Sequence, residues 1–229
     1  MKKQILKRLN RQGFTLVELL VAMGISAVVM AGIYTVYSSQ QKSYTVQEQM
    51  AAMQQNLRAA IYFMEREIRM AGHDPTRKVV GGAGIQTAGP NTINFTLDIT
   101  DNPGTGDADG DTADANENIT YSLYTADGIQ KLGRKSTSTA NNQPVAENID
   151  ALDFVYLDAN GAPTATLANI RSVQITLVAR TGREDPGYTN NEQFYNQNPD
   201  GQELIYTALN DSFRRKRLTT EVKCRNIGL

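Results

Sequence analysis

Apolar positions along the chain follow three successive patterns. From Phe14 to Val36 the run is predominantly apolar, and one carboxylate, Glu18, interrupts it. Beyond Tyr37 the composition turns polar while a helical period persists. Val46, Met50, Met53, Leu57, Ile61, Met64 and Ile68 recur at spacings of three and four, on one stripe. Neither Pro nor Gly interrupts residues 38–71, and Gly72 and Pro75 then offer a stop. From Asn91 the pattern becomes that of strands, with the best candidates at 92–99, 119–124, 151–157, 170–179 and 218–225. In the fourth, Val173, Ile175, Leu177 and Ala179 form the more apolar face. Asp127–Gly128, Asn160–Gly161 and Pro186–Gly187 mark turns, while 101–118, 136–143 and 181–202 read as long loops.

These patterns predict an α+β protein. A rod from Phe14 to Ala71 would be 58 residues, about 87 Å long. Its first half is available for lipid or partner helices, and its second half can lie against a mainly antiparallel sheet. Phe14 to Tyr37 is 24 residues, enough to cross a hydrocarbon core of about 30 Å. Lys2, Lys3, Lys7, Arg8 and Arg11 precede it and favour a cytoplasmic N-terminus. A removable secretory signal begins similarly. The long apolar run, without a small-x-small site at its end, favours an uncleaved anchor.

Charge excludes little. Net charge is −1, so losing the five leader cations would leave −6, with no general nucleic-acid signature. Cys224 is the single cysteine, so no intramolecular disulfide can form, and His73, the single histidine, reads as a cap of the last helix carbonyls rather than a catalytic base or a transition-metal ligand. A carboxylate at bilayer depth costs about 2.5–3.5 kcal/mol on insertion scales, which asks for a partner or a role for Glu18. Snorkelling into the headgroup region is the simpler alternative. Gly24 and Gly32 suit either close helix contacts or ordinary membrane-helix composition.

Asp107, Asp109, Asp111 and Asp114 crowd one glycine-rich loop, beside Asp101 and Glu117. Carboxylates at alternate positions can wrap Ca²⁺, yet Gly110 comes early for an EF-hand and its twelfth position is Asn118. A solvated acidic loop explains the same residues, and no other cofactor is expected. The run Arg214, Arg215, Lys216 and Arg217 reads as the solvated start of a strand rather than a phosphate-binding patch. A direct nucleic-acid ligand is therefore not expected.

At Gly13, Phe14, Thr15, Leu16, Val17 and Glu18 the chain resembles the prepilin leader of type IV pilins and type II secretion pseudopilins. The resemblance implies a pilin-like fold and cleavage after Gly13 by a prepilin peptidase, with methylation of the new amino terminus at Phe14. It further implies pairing of Glu18 with a neighbouring subunit's Phe14 amine. Asn56–Leu57–Arg58, the segment from Glu65 to Gly72 and the stretch from Leu218 to Asn226 resemble minor pilins of the PilW type and the related J-type pseudopilin. Unlike many major pilins, the chain has no proline in its apolar segment and no C-terminal cysteine pair. The implied organisation is a leader (1–13), a transmembrane and assembly half-helix (14–37), an amphipathic half-helix (38–74) and a β-rich extracytoplasmic head (75–229). The implied role is structural, without catalysis, in a pilus serving adhesion, twitching motility or DNA uptake, or else in a secretion pseudopilus. Implied partners are the peptidase, other minor pilins, the major pilin, an inner-membrane assembly platform and the lipid bilayer.

Overall fold

A computed structural model describes residues 13–79, 82–101, 106–139 and 141–227. The basic leader residues up to Arg11 lie outside the described residues. The chain divides into two compact units, one ending at Gln47 and the other beginning at Glu48. A single long helix, α1 (Leu16–Met70), contributes to both.

In the first unit α1 runs without a break through Gly24 and Gly32. The Thr35 hydroxyl donates to the carbonyl of Ala31 (2.9 Å), so this polar group is satisfied within the helix. Apolar side chains on every side of this half are exposed, from Leu16, Val17 and Leu20 to Val28, Ile33 and Val36.

In the second unit only a stripe of α1 is covered. Met53, Leu57, Ile61, Met64 and Ile68 are buried as the spacing predicts, and Ala60 joins them. The strands are β1 (Ile85–Ala88), β2 (Thr92–Thr96), β3 (Asn118–Ala126), β4 (Ile129–Ser136), β5 (Gln143–Glu147), β6 (Ile149–Leu157), β7 (Ser172–Arg180), β8 (Gln193–Tyr195), β9 (Leu204–Thr207) and β10 (Arg215–Lys223). They form a meander β1-β2-β3-β4-β5, a three-stranded sheet β10-β7-β6 and a hairpin β8-β9, with every ladder antiparallel. The helical stripe shares one core with Ile93 and Phe95 of β2, Tyr121 of β3, and Ile175 and Leu177 of β7. The head is therefore a mainly antiparallel β-structure packed on the C-terminal part of a long helix.

Specific polar contacts set the helix against the sheets. Glu67 accepts both the Tyr121 hydroxyl (2.5 Å) and the Arg134 guanidinium (3.0 Å). Burial, and then the Glu67 charge, pushes the Tyr121 phenol well above its ordinary range, which keeps it a donor. Asn56 donates to the Glu147 carbonyl (2.8 Å), and the Thr220 hydroxyl donates to Glu65 (2.5 Å). The helix stops where the sequence predicts. Gly72 adopts φ +81°, its amide donates to the Thr96 carbonyl (3.0 Å), and a Cβ there would meet Ile227 Cγ1 at 2.9 Å.

Several sequence expectations need correction. β4, absent from the expected strands, lies inside the meander between β3 and β5. Its pattern was masked because Lys131 and Arg134 project from it and are neutralised by Glu147 and Glu67. Asp127 (φ 55°) and Gly128 (φ 73°) do form the expected turn, a two-residue β3–β4 hairpin. The expected long loop at 181–202 contains β8, whose Phe194 covers Ala151 and Val178 on the back of the three-stranded sheet. Such a three-residue strand among Asn and Gln carries no readable period. β10 begins at Arg215, earlier than the expected Leu218. The basic run is not a solvated strand start, because the Arg215 side chain is 0% exposed. Arg215 pairs with Asp150 and Asp211, each at 2.6 Å, while Arg214 pairs with Asp185 at 2.8 Å. Three of its four charges are thus engaged inside the head, since Arg217 donates to the Tyr195 carbonyl (2.6 Å).

Candidate functional sites: the helix start and the acidic loop

Glu18 stands at the third position of α1. The Thr15 amide (2.8 Å) and hydroxyl (2.9 Å) both donate to Glu18 Oε2, and the Glu18 amide donates to Thr15 Oγ1 (3.3 Å). This is a reciprocal capping box, which satisfies amides that the first helical turn leaves without partners. Its sequence signal is the spacing Thr-Leu-Val-Glu, a threonine three residues before a glutamate. Its consequence is geometric, because the carboxylate is held at the backbone amide adjoining Phe14. Phe14 itself is 90% exposed, and a Cβ on Gly13 would meet nothing within 4 Å. Nothing described crowds the peptide bond between them.

The acidic loop connects β2 to β3, and two carboxylates with 0% exposure organise it, Asp98 and Glu117. Asp98 accepts the amides of Asp109 and Gly110, both at 3.1 Å, and the Thr76 hydroxyl at 3.2 Å. Glu117 accepts the amides of Ile99 (2.8 Å), Thr100 (3.0 Å) and Asp114 (3.1 Å). Asp98 goes unmarked in the sequence and Glu117 stands out there only as a neighbour of the aspartates, because burial of an acidic side chain is invisible in a sequence.

Of the four aspartates expected to act together, the structure gathers three. One carboxylate oxygen from each of Asp109, Asp111 and Asp114 lies within 4.8 Å of the others. Asp107 falls outside this group and instead lines an open cleft with His73, Pro75 and Thr76. Asp109 and Asp111 each accept one nearby amide, from Asp111 (3.1 Å) and Ala113 (2.8 Å) respectively. Asp114 is 8% exposed, and its Oδ2 is sealed from solvent without a hydrogen-bond partner among the described residues. Burial, followed by the charges of Asp109 and Asp111, pushes its carboxyl above the usual range.

The remaining candidates serve structure. The His73 amide donates to the Met70 carbonyl (2.9 Å), and its own carbonyl accepts the Asp98 amide (2.7 Å), which closes the helix end onto β2. Cys224 is buried, which pushes its thiol up to about 11 and keeps it protonated.

This geometry, a long helix with an exposed apolar half and a covered half on a β-head, is that of a pilin. A Type IV-like pilin from Thermus thermophilus shares the fold, with TM-score 0.50 over 76% of this chain and 96% of that one. At 15% identity the likeness concerns the fold alone. Residues 8–34 match the prokaryotic N-terminal methylation motif. Residues 112–226, half of the chain, match Type IV Pilus-assembly protein W, and the chain belongs to that family. No match is found among curated proteins. The chain therefore has the general role of a pilin or pseudopilin family member, and its apolar N-terminal helix is long enough to serve as a membrane anchor.

Proposed function

We propose that the chain is a minor pilin that primes or caps assembly of a type IV pilus. A prepilin peptidase cuts after Gly13 and methylates Phe14. The segment 14–37 holds the protein in the inner membrane, N-terminus cytoplasmic and head periplasmic, until it joins other minor pilins and the major pilin at the assembly platform. The amphipathic half-helix, 38–74, and the head, 75–229, present the surface that these partners meet.

One observation carries the reading. A methylation motif and a pilus-assembly head occur on the same chain, joined by a helix whose N-terminal apolar side chains have no protein cover. Glu18 fits a part in it. Cleavage after Gly13 would create a cationic amine at Phe14, next to the amide that Glu18 already accepts. In apolar surroundings a carboxylate and an ammonium gain by pairing, within one subunit or between two. The capping box fixes the carboxylate at that end of the helix before any partner arrives.

Mass spectrometry of the protein recovered from filaments tests processing, with an N-methylated Phe14 terminus expected. Intact residues 1–13 in that material would overturn it. Glu18→Ala tests assembly: membrane levels should persist while co-purification with other minor pilins and the number of surface filaments fall. Normal values for both would remove the pairing role. Co-purification with secretion components in place of pilins would instead assign the chain to a pseudopilus.

A further inference from the structure

Three aspartates face one another in the loop between β2 and β3, and the structure leaves the most buried of them unsatisfied. Carboxylate oxygens of Asp109, Asp111 and Asp114 lie within 4.8 Å of one another. Like charges so close repel, and their loop holds them together through other groups. Asp98 binds the amides of Asp109 and Gly110, Glu117 binds the amide of Asp114, and the Thr137 hydroxyl donates to the Asp114 carbonyl. Asp98 and Glu117 are thereby occupied with backbone amides. Asp114 is different, because it is 8% exposed and its Oδ2 reaches neither solvent nor a hydrogen-bond donor among the described residues. A buried polar atom without a partner is rare in folded proteins and calls for an explanation.

We propose that Asp109, Asp111 and Asp114 bind one Ca²⁺ ion. The cluster offers oxygen ligands, which hard divalent cations prefer, and neither His73 nor Cys224 belongs to it. Size selects among those cations. At Ca–O distances of about 2.3–2.6 Å, three oxygens around one ion lie up to about 4.5 Å apart, and the present spacing, within 4.8 Å, is close to that. Mg²⁺ demands near-ideal octahedral order and gives up its waters reluctantly, which makes it the weaker ligand for a site of three loop carboxylates. Backbone carbonyls or water complete a shell of roughly six to eight oxygens. The ion supplies a partner for the buried Asp114 carboxylate and turns three repelling charges into one chelate. It is independent of the assembly role, since binding is read on the purified chain whether or not pili form.

The experiment uses the full chain in detergent, stripped of metal, titrated with CaCl₂ or MgCl₂ while heat of binding and Tm are followed. Ca²⁺ should bind at a single site with a dissociation constant of about 0.1–1 mM, as in extracellular modules, and raise Tm. Mg²⁺ should bind at least about tenfold more weakly. Asp114→Asn should abolish the calcium shift while leaving the metal-free Tm unchanged or higher, since it removes the unpartnered charge. The double change Asp109→Asn with Asp111→Asn should abolish it too. A folded wild-type chain that shows neither heat nor a Tm shift in millimolar Ca²⁺ overturns the site. A shift that survives in folded Asp114→Asn also overturns it.

Discussion

The two halves of α1 are one helix with opposite relations to their surroundings. Before Gln47 apolar side chains point in all directions and stay exposed, Leu20 and Val28 among them. After Glu48 only one stripe is buried, and there Leu57, Met64 and Ile68 are at most 1% exposed, while Tyr62 and Phe63 lie off it and stay exposed. A helix that is apolar all round has no stable face toward water and needs lipid or other helices. A striped helix is a core element, and burial of each large side chain contributes about 1.5–3 kcal/mol. The difference ties the second half to the stability of the head, while the first half is apolar and exposed, consistent with a membrane anchor.

The strongest way to break this contrast is a cavity under the stripe. Leu57→Ala should destabilise the head by about 2–5 kcal/mol in denaturant unfolding, because the site is enclosed by helix and sheet. An unchanged midpoint would mean that the helix does not hold the head together. Next comes the polar link between the layers. Glu67→Ala removes the acceptor for Tyr121 and Arg134 and should cost about 1–3 kcal/mol in the same assay. Tyr121→Phe on that background should add little, since the two share one interaction. In the first half, Leu20→Ala should leave head unfolding within about 0.5 kcal/mol of wild type, because no protein cavity opens. A larger loss would show that the head draws stability from that segment. Smallest is Glu18→Ala, which should leave the head's Tm unchanged while fraying the first turn of α1, seen as faster amide exchange at the amides the cap protects.

Much of the fold was readable because periodicity reports which face is buried. The stripe from Met53 to Ile68, the stop at Gly72 and the Asp127–Gly128 turn all follow from spacing or from turn chemistry. β4 was not readable, since Lys131 and Arg134 look like solvated residues until Glu147 and Glu67 arrive from distant sequence. Arg215 deceived for the same reason, because its partners Asp150 and Asp211 reach it only through the sheet and a loop. The capping box at Thr15 and Glu18 is local as well, since a threonine three residues before a glutamate is its sequence signature.

The sequence by itself determined where an all-round apolar helix gives way to a striped one, because that contrast is a property of the local order of side chains. It determined the motif around Gly13 and the presence of an acidic loop for the same reason. Only the tertiary structure decided which aspartates meet, leaving Asp107 aside and sealing Asp114 against its neighbours. It also decided that a basic run becomes internal ion pairs. Charge and burial at those positions depend on what is brought near them by folding, and a one-dimensional pattern carries no record of that.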